Sequence, residues 1–178
     1  MSTNGNRARG MVLAVCTAAE RGVPKIRRAS VRVTKFGFEG DVHCGEMRSS
    51  KSDPSGWKPN ERQLTIVAEE AALEAGKVLG RTFEPGELRE NILVVGLGML
   101  EGFHPGTLLR MGKVVLRVSE QNKPCSRLEE IFGPGTMKAF LKKRGLICTV
   151  VEGAGETIRT GNGIEVELPK TKKKKTQP

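Results

Sequence analysis

The sequence contains no tyrosine and a single tryptophan, and aromatic residues make up 4% of its 178 residues. Proteins that bind single-stranded nucleic acid stack bases on aromatic rings along a basic groove, and here no stacking aromatics accompany the positive charge. No apolar run approaches the roughly 20 residues needed to cross a bilayer. The apolar stretch near the N-terminus, Met11–Val15, is too short for a secretory h-region and has no small-residue cleavage site after it. These absences point to a cytoplasmic protein with no membrane association. The four cysteines, Cys16, Cys44, Cys125 and Cys148, are then expected as free thiols. No CxxC or HxxxH spacing accompanies them, so the adjacent His43 and Cys44 are not expected to form a structural zinc site.

What the chain does have is glycine and positive charge. Twenty-two glycines favour turns and tight backbone bends over long helices. The formal charge is +10, and five lysines (Lys170 and Lys172–Lys175) account for half of it. Residues 170–178 therefore read as a disordered, Lys-rich tail, as residues 1–10 read as a disordered N-terminus. Such a tail solubilises the chain, or makes weak, salt-dependent nucleic-acid contacts. The interior shows no repeat and no linker, so residues 11–169 are expected to form one domain.

Hydrophobic patterning predicts mostly strands. Met11–Thr17, Ser30–Thr34, Gln63–Val67, Asn91–Val95, Leu108–Met111, Val114–Ser119 and Leu146–Val151 have strand length and composition. Gly112-Lys113 predicts a hairpin turn. Residues 156–168 predict a closing hairpin around Thr160–Gly163, and residues 48–62 a long loop. Helices are predicted over Glu69–Leu79 with Gly80 as C-cap, over Ser126–Phe132, and over Thr136–Lys143. Many short strands at close spacing predict a mainly β fold, a closed β-barrel with a few peripheral helices.

Cys16 and Cys148 lie inside apolar strands and are expected in the core. Cys125 lies among polar residues in QNKPCSRLEEIF. Ser126 and Glu129 have capping-box spacing, which predicts Ser126 as the N-cap and places Cys125 one residue outside a helix start. The helix dipole, Lys123 and Arg127 all favour an anion there, and a thiolate is both nucleophile and metal ligand. In an extended segment Asp41 and His43 would share a face, where the carboxylate would fix the imidazole tautomer. Arg62 and the pair Glu90-Asn91 open two strands and so are placed to line a barrel mouth, although Arg89 and Glu90 would equally pair with each other. Arg62, Arg89 and Arg127 are alternative anchors for a phosphorylated cofactor.

In order along the chain, GDVH (40–43), RQLTIVAEEA (62–71), RENILVVG (89–96), PGTLLRMGKVVLRV (105–118) and NKPCSRL (122–128) resemble the MOSC domain. This family includes the C-terminal domain of molybdenum cofactor sulfurases. The resemblance implies a barrel like that of pyruvate kinase, molybdenum cofactor (Mo-molybdopterin) as ligand, and Cys125 as a persulfide sulfur carrier or molybdenum ligand. By the same resemblance, Asp41, His43, Arg62, Glu90, Asn91, Lys123 and Arg127 contribute to cofactor binding. A cysteine desulfurase, or a cofactor-biosynthesis or target enzyme, is then the implied partner.

The sulfurases also carry a large desulfurase domain with lysine-bound pyridoxal phosphate. This sequence is too short for one, and pyridoxal phosphate is not expected here. Two alternatives stand beside the carrier reading. One is a small molybdenum-dependent reductase of N-hydroxylated compounds, served by a redox partner. The other, from a different class, is a non-catalytic nucleic-acid-binding module driven by the Lys tail.

Overall fold

A computed structural model describes residues 9–169, so the predicted Lys tail and most of the predicted N-terminal extension lie outside the described residues. In chain order the strands are β1 (Arg9–Thr17), β2 (Ile26–Arg28), β3 (Ser30–Thr34), β4 (Gly37–Phe38), β5 (Met47–Ser49), β6 (Trp57–Pro59) and β7 (Leu64–Ala68). After helix α1 (Glu69–Leu79) come β8 (Ile92–Val95), β9 (Leu108–Met111) and β10 (Val114–Gln121). Helices α2 (Ser126–Phe132) and α3 (Thr136–Ala139) precede β11 (Leu146–Glu152), β12 (Thr157–Arg159) and β13 (Gly163–Glu167).

Seven strands close into a barrel in the order β13-β9-β10-β11-β7-β8-β1, and β1 returns to pair with β13. Closure removes the open edges that would otherwise template aggregation. Every pairing is antiparallel except β7–β8. A parallel pair needs a crossover connection, and α1 supplies it. Its C-cap Gly80 takes the left-handed conformation, as the sequence predicts, and donates its N–H to the Gly76 carbonyl.

The apolar runs of β1, β7 and β8 are explained by burial on both faces. Val15, Ile66, Ile92 and Val94 fill the barrel interior. Cys16, Val67 and Leu93 face the opposite way, into a second cluster with Ala72 and Ala75 of α1 and Phe140. The β1–β8 register shifts between Val12 and Ala14, a bulge that sends both Leu13 and Ala14 to the outer cluster and returns Val15 to the interior.

Four elements differ from the sequence expectation. Strand β1 begins at Arg9, because Arg9 and Gly10 pair with Glu165 and Ile164 across the closing seam. The loop at 48–62 is not structureless: β5 and β6 form a small hairpin within it. The predicted closing hairpin does not form, since β12 pairs with β3 while β13 pairs with β9 and β1. The two strands instead divide Ile158, Ile164 and Val166 along the same core. Helix α3 stops at Ala139, because Lys142 adopts φ 62° and Gly145 φ 95°, turning the chain into β11.

Gly145 shows how tightly that turn is packed. A Cβ there would lie 1.9 Å from the Ile66 carbonyl oxygen, a backbone atom that cannot retreat. Gly112 also has positive φ but faces open space. Gly112→Ala is expected to cost about 1 kcal/mol through backbone strain alone, and Gly145→Ala roughly 3 kcal/mol or more. Urea denaturation of the two variants measures the difference, and equal losses would contradict the packing described.

Candidate functional site

Asp41 is the hub of the site. Its side chain is buried, as is that of Lys25, whose ammonium reaches Asp41 Oδ2 at 2.5 Å. The Ala18 N–H donates to the same oxygen at 3.1 Å. Asp41 Oδ1 accepts from the His43 backbone N–H at 3.0 Å and lies 3.2 Å from the ring Nδ1. Lys25 Nζ lies 3.4 Å from that same Nδ1. Asp41 and His43 do meet, but not through the extended segment that the sequence suggested. A tight turn, with the Cys44 N–H donating to the Asp41 carbonyl, folds His43 back over the carboxylate.

Burial opposes ionisation of Asp41, yet the hydrogen bond to His43 and the charge of Lys25 prevail and hold the carboxyl well below the usual carboxylate range. Burial pulls the Lys25 ammonium below its ordinary value, with Asp41 opposing.

Glu90 turns inward beside this pair. It is 1% exposed, and its Oε1 accepts the Gly86 N–H at 2.5 Å. Burial pushes its carboxyl up to about 7, against the pull of Gly86, Arg144 and Lys25. Gly86 also accepts the Lys25 N–H at 2.9 Å. A Cβ on Gly86 would meet the Lys25 carbonyl oxygen at 2.0 Å, so only glycine lets these two segments lie together. Arg144 is buried and donates Nη2 to the Leu88 carbonyl. Its Nη1 and Glu90 Oε2 are both buried without a hydrogen-bond partner. Arg89 does not pair with Glu90. It adopts φ 61° and donates to the Gly22 carbonyl at 2.6 Å.

Asn91 is fully buried and committed to the fold. Its Oδ1 accepts from the Thr65 N–H, and its Nδ2 donates to the Cys16 carbonyl. It latches β7 to β1 across β8.

Cys125 is exposed, whereas Cys16 and Cys148 are buried and Cys44 is half-buried. Burial pushes the Cys16 thiol up to about 12 and raises Cys148 as well. Cys125 is itself the N-cap of α2, with extended backbone (φ −134°, ψ 164°). This corrects the expected capping box. Ser126 is the first helical residue, and Glu129 turns forward to accept the Gly135 and Met137 N–H groups at 3.0 and 3.4 Å. Glu129 therefore supports α3, whose start has no other side-chain cap.

Upstream of the thiol, the Asn122 N–H donates to the Gly145 carbonyl at 2.8 Å and continues the β10–β11 ladder. Arg127 pairs with Glu130 at 2.9 Å and also approaches Gly22. Lys123 and Pro124 line an apolar cleft of about 580 Å³ with Met137 and Leu141.

Arg62 and His43 share a smaller, polar cleft with Arg21, Arg48 and Cys44, and Arg62 pairs with Glu120 at 2.9 Å. The structure thus links His43 and Asp41 to Lys25, and Lys25 to Glu90 through Gly86, with Arg144 buried nearby; the sequence reading missed both Lys25 and Arg144. Neither carries a local signal. Lys25 follows a turn, Arg144 precedes a strand, and only the packed fold shows that both are buried.

A model of the MOSC domain family matches residues 39–165. Among solved structures, the chain is similar to the YuaD protein from Bacillus subtilis, with 21% identity and a TM-score of 0.82 over 93% of this chain and 99% of that one. It is also similar to YiiM from Geobacillus stearothermophilus (19% identity, TM-score 0.65, 89% of this chain and 75% of that one). YiiM from Escherichia coli is comparable (19% identity, TM-score 0.65, 93% and 71%). At these identities the likeness speaks for the fold. No curated protein matches.

The Asp41–Lys25 pair gives a pH-dependent prediction. A depressed carboxyl stabilises the fold fully above its ordinary value of 3.8, and that contribution is lost as the pH falls below it. Asp41→Asn also leaves the Lys25 ammonium buried without its counter-charge, so the variant is expected to lose about 3–5 kcal/mol at pH 7. The gap from wild type should narrow between about pH 4 and pH 2. Urea midpoints across that range provide the measurement, and a gap independent of pH would refute the ionised pair.

Proposed function

The chain belongs to the MOSC domain family, and from that premise we propose that it binds molybdenum cofactor or carries sulfur for it through Cys125. The observation that carries this reading is the exposure of this thiol at a helix start, with Lys123 and Arg127 two residues to either side. As a carrier, the Cys125 thiolate attacks the terminal sulfur of a donor persulfide. The old S–S bond breaks, the donor leaves as its thiolate, and Cys125 holds the sulfur as a new persulfide.

The residues also fit a molybdenum centre. A soft thiolate suits the metal, and Lys123 and Arg127, two residues to either side of Cys125, favour an anionic group near it. Among the described residues no three His, Cys, Asp or Glu side chains converge. A metal held here would therefore have Cys125 as its one protein ligand and take its other donors from an organic cofactor. Bound in this way, the cofactor would supply two-electron redox chemistry. Arg127 and Lys123 would orient its anionic groups, and Glu90 and Asp41 would set the charge beneath it.

The apolar cleft lined by Lys123 and Pro124 favours one alternative, a reductase of N-hydroxylated compounds, because it offers space for an organic substrate against the segment that carries the thiol. A cytoplasmic setting and a desulfurase or target-enzyme partner belong to the same proposal. No helix among the described residues is long and apolar enough to cross a membrane.

Metal analysis and intact mass, on protein purified anaerobically from a molybdenum-replete host, test the proposal. Wild type is expected to carry either about one molybdenum with pterin or about one added sulfur, and Cys125→Ser neither. Molybdenum lost in the variant supports cofactor ligation, and added sulfur without molybdenum supports the carrier. If neither appears and a persulfide donor leaves Cys125 unmodified, the proposal fails.

A further inference from the structure

The apolar cleft runs along the segment that carries the thiol, since Pro124 lines it and Cys125 is the next residue. We infer that it is the docking site for a protein partner. The occupant is an acidic segment whose apolar face packs on Met137 and Leu141 while its carboxylates meet Lys123, Lys138 and Lys142. This rests on the carrier reading of Cys125 proposed above, and it names the surface by which a sulfur donor or acceptor is held near the thiol.

Three observations carry the inference. First, Leu141 is 59% exposed on a turn that cannot withdraw it. Phe140 before it is fully buried in the outer cluster. The Leu141 N–H donates to the Lys138 carbonyl at 3.2 Å, and the Lys143 N–H to the Phe140 carbonyl at 2.9 Å. Apolar surface held in water and rimmed by charge marks a contact surface.

Second, the charge is one-sided. Lys123 follows β10, Lys138 lies in α3, and Lys142 lies in the turn after it, against one lining carboxylate, Glu101. None of these three lysines is ion-paired among the described residues, whereas their neighbour Lys143 is turned away to Glu74. Cations spread over three elements match carboxylates repeated along a segment, not the single charge of a small anion. Third, the walls are fixed before a partner arrives. The Gln121 amide donates to the Leu100, Glu101 and Phe103 carbonyls at 3.2, 3.3 and 2.9 Å, tying the end of β10 to the turn opposite. A preformed site loses less conformational freedom on binding.

The test is fluorescence anisotropy of labelled peptides titrated with the full chain. The probe is a helical peptide with leucines on one face and glutamates on the other. One control carries glutamine for glutamate, and a second carries serine for leucine. Wild type should bind the probe about tenfold more tightly than either control, and more weakly as salt screens the charges. Lys138→Glu should weaken binding about tenfold and Leu141→Ser about fivefold, and both side chains are exposed, so the fold is spared. Lys51→Glu, between β5 and β6, changes the net charge equally and should bind within about twofold of wild type. Cys125→Ser should bind the probe like wild type, so failure of the thiol chemistry and failure of the docking are read separately. The inference is overturned if the glutamine peptide binds as well as the probe, if Lys51→Glu weakens binding as much as Lys138→Glu, or if Leu141→Ser changes nothing. Saturation by phenylhydroxylamine in calorimetry, with no binding of the probe, would give the cleft to a small substrate and overturn it as well.

Discussion

Burying one carboxylate at the mouth of the barrel organises everything around it. Removing Asp41 from water is affordable only if its oxygens are fully engaged. The chain engages them from two sides, with the Ala18 N–H and Lys25 on one oxygen and the His43 backbone and ring on the other. The partners come from the end of β1, the turn after it and the segment following β4. A single ion thus fastens the end of β1 to two turns that lie outside the strand ladders. Once Lys25 is fixed, Gly86 is fixed against it, and through Gly86 so is the inward turn of Glu90.

The thiol is positioned by a different device. The β10–β11 pair is the longest in the barrel and contains two register shifts, one of them between Val118 and Glu120. Bulges of this kind re-aim the strand end. Past Gln121 the chain stays alongside β11 through Asn122 and Gly145, and Cys125 follows at the exposed start of α2. The cationic groups come from elements distant in sequence: Arg127 on α2 lies near Gly22, while Arg21, Arg48 and Arg62 line a separate cleft.

Much of this was legible from local patterns. The hairpin at Gly112-Lys113 forms with Met111 opposite Val114, because a two-residue turn with glycine at positive φ needs nothing beyond its own backbone. Helix α1 and its Gly80 cap follow from propensity and handedness alone. Cys16 and Cys148 are buried because their strands are apolar on both sides. The errors occur where long-range pairing overrides a local motif. Ser126 and Glu129 have the spacing of a capping box, yet Glu129 is drawn to the free N–H groups of α3, which have no other side-chain acceptor. Residues 156–168 carry a turn in the middle, yet their strands join different sheets, since barrel closure requires β13 on β1.

The sequence by itself determined the β-barrel class, the family and the choice of Cys125 as the exposed thiol, because strand periodicity, turn glycines and a cysteine among polar residues are all written within a few residues of one another. Only the tertiary structure decided that Lys25 and Arg144 are buried, that Asn91 bonds to β7 and β1, and that Arg62 lines a different cleft from the Gly22 turn where Arg89 and Arg127 lie. Those distinctions depend on which charged groups lose their water. Desolvation is set by every segment that packs over a side chain, and no window of sequence contains that information.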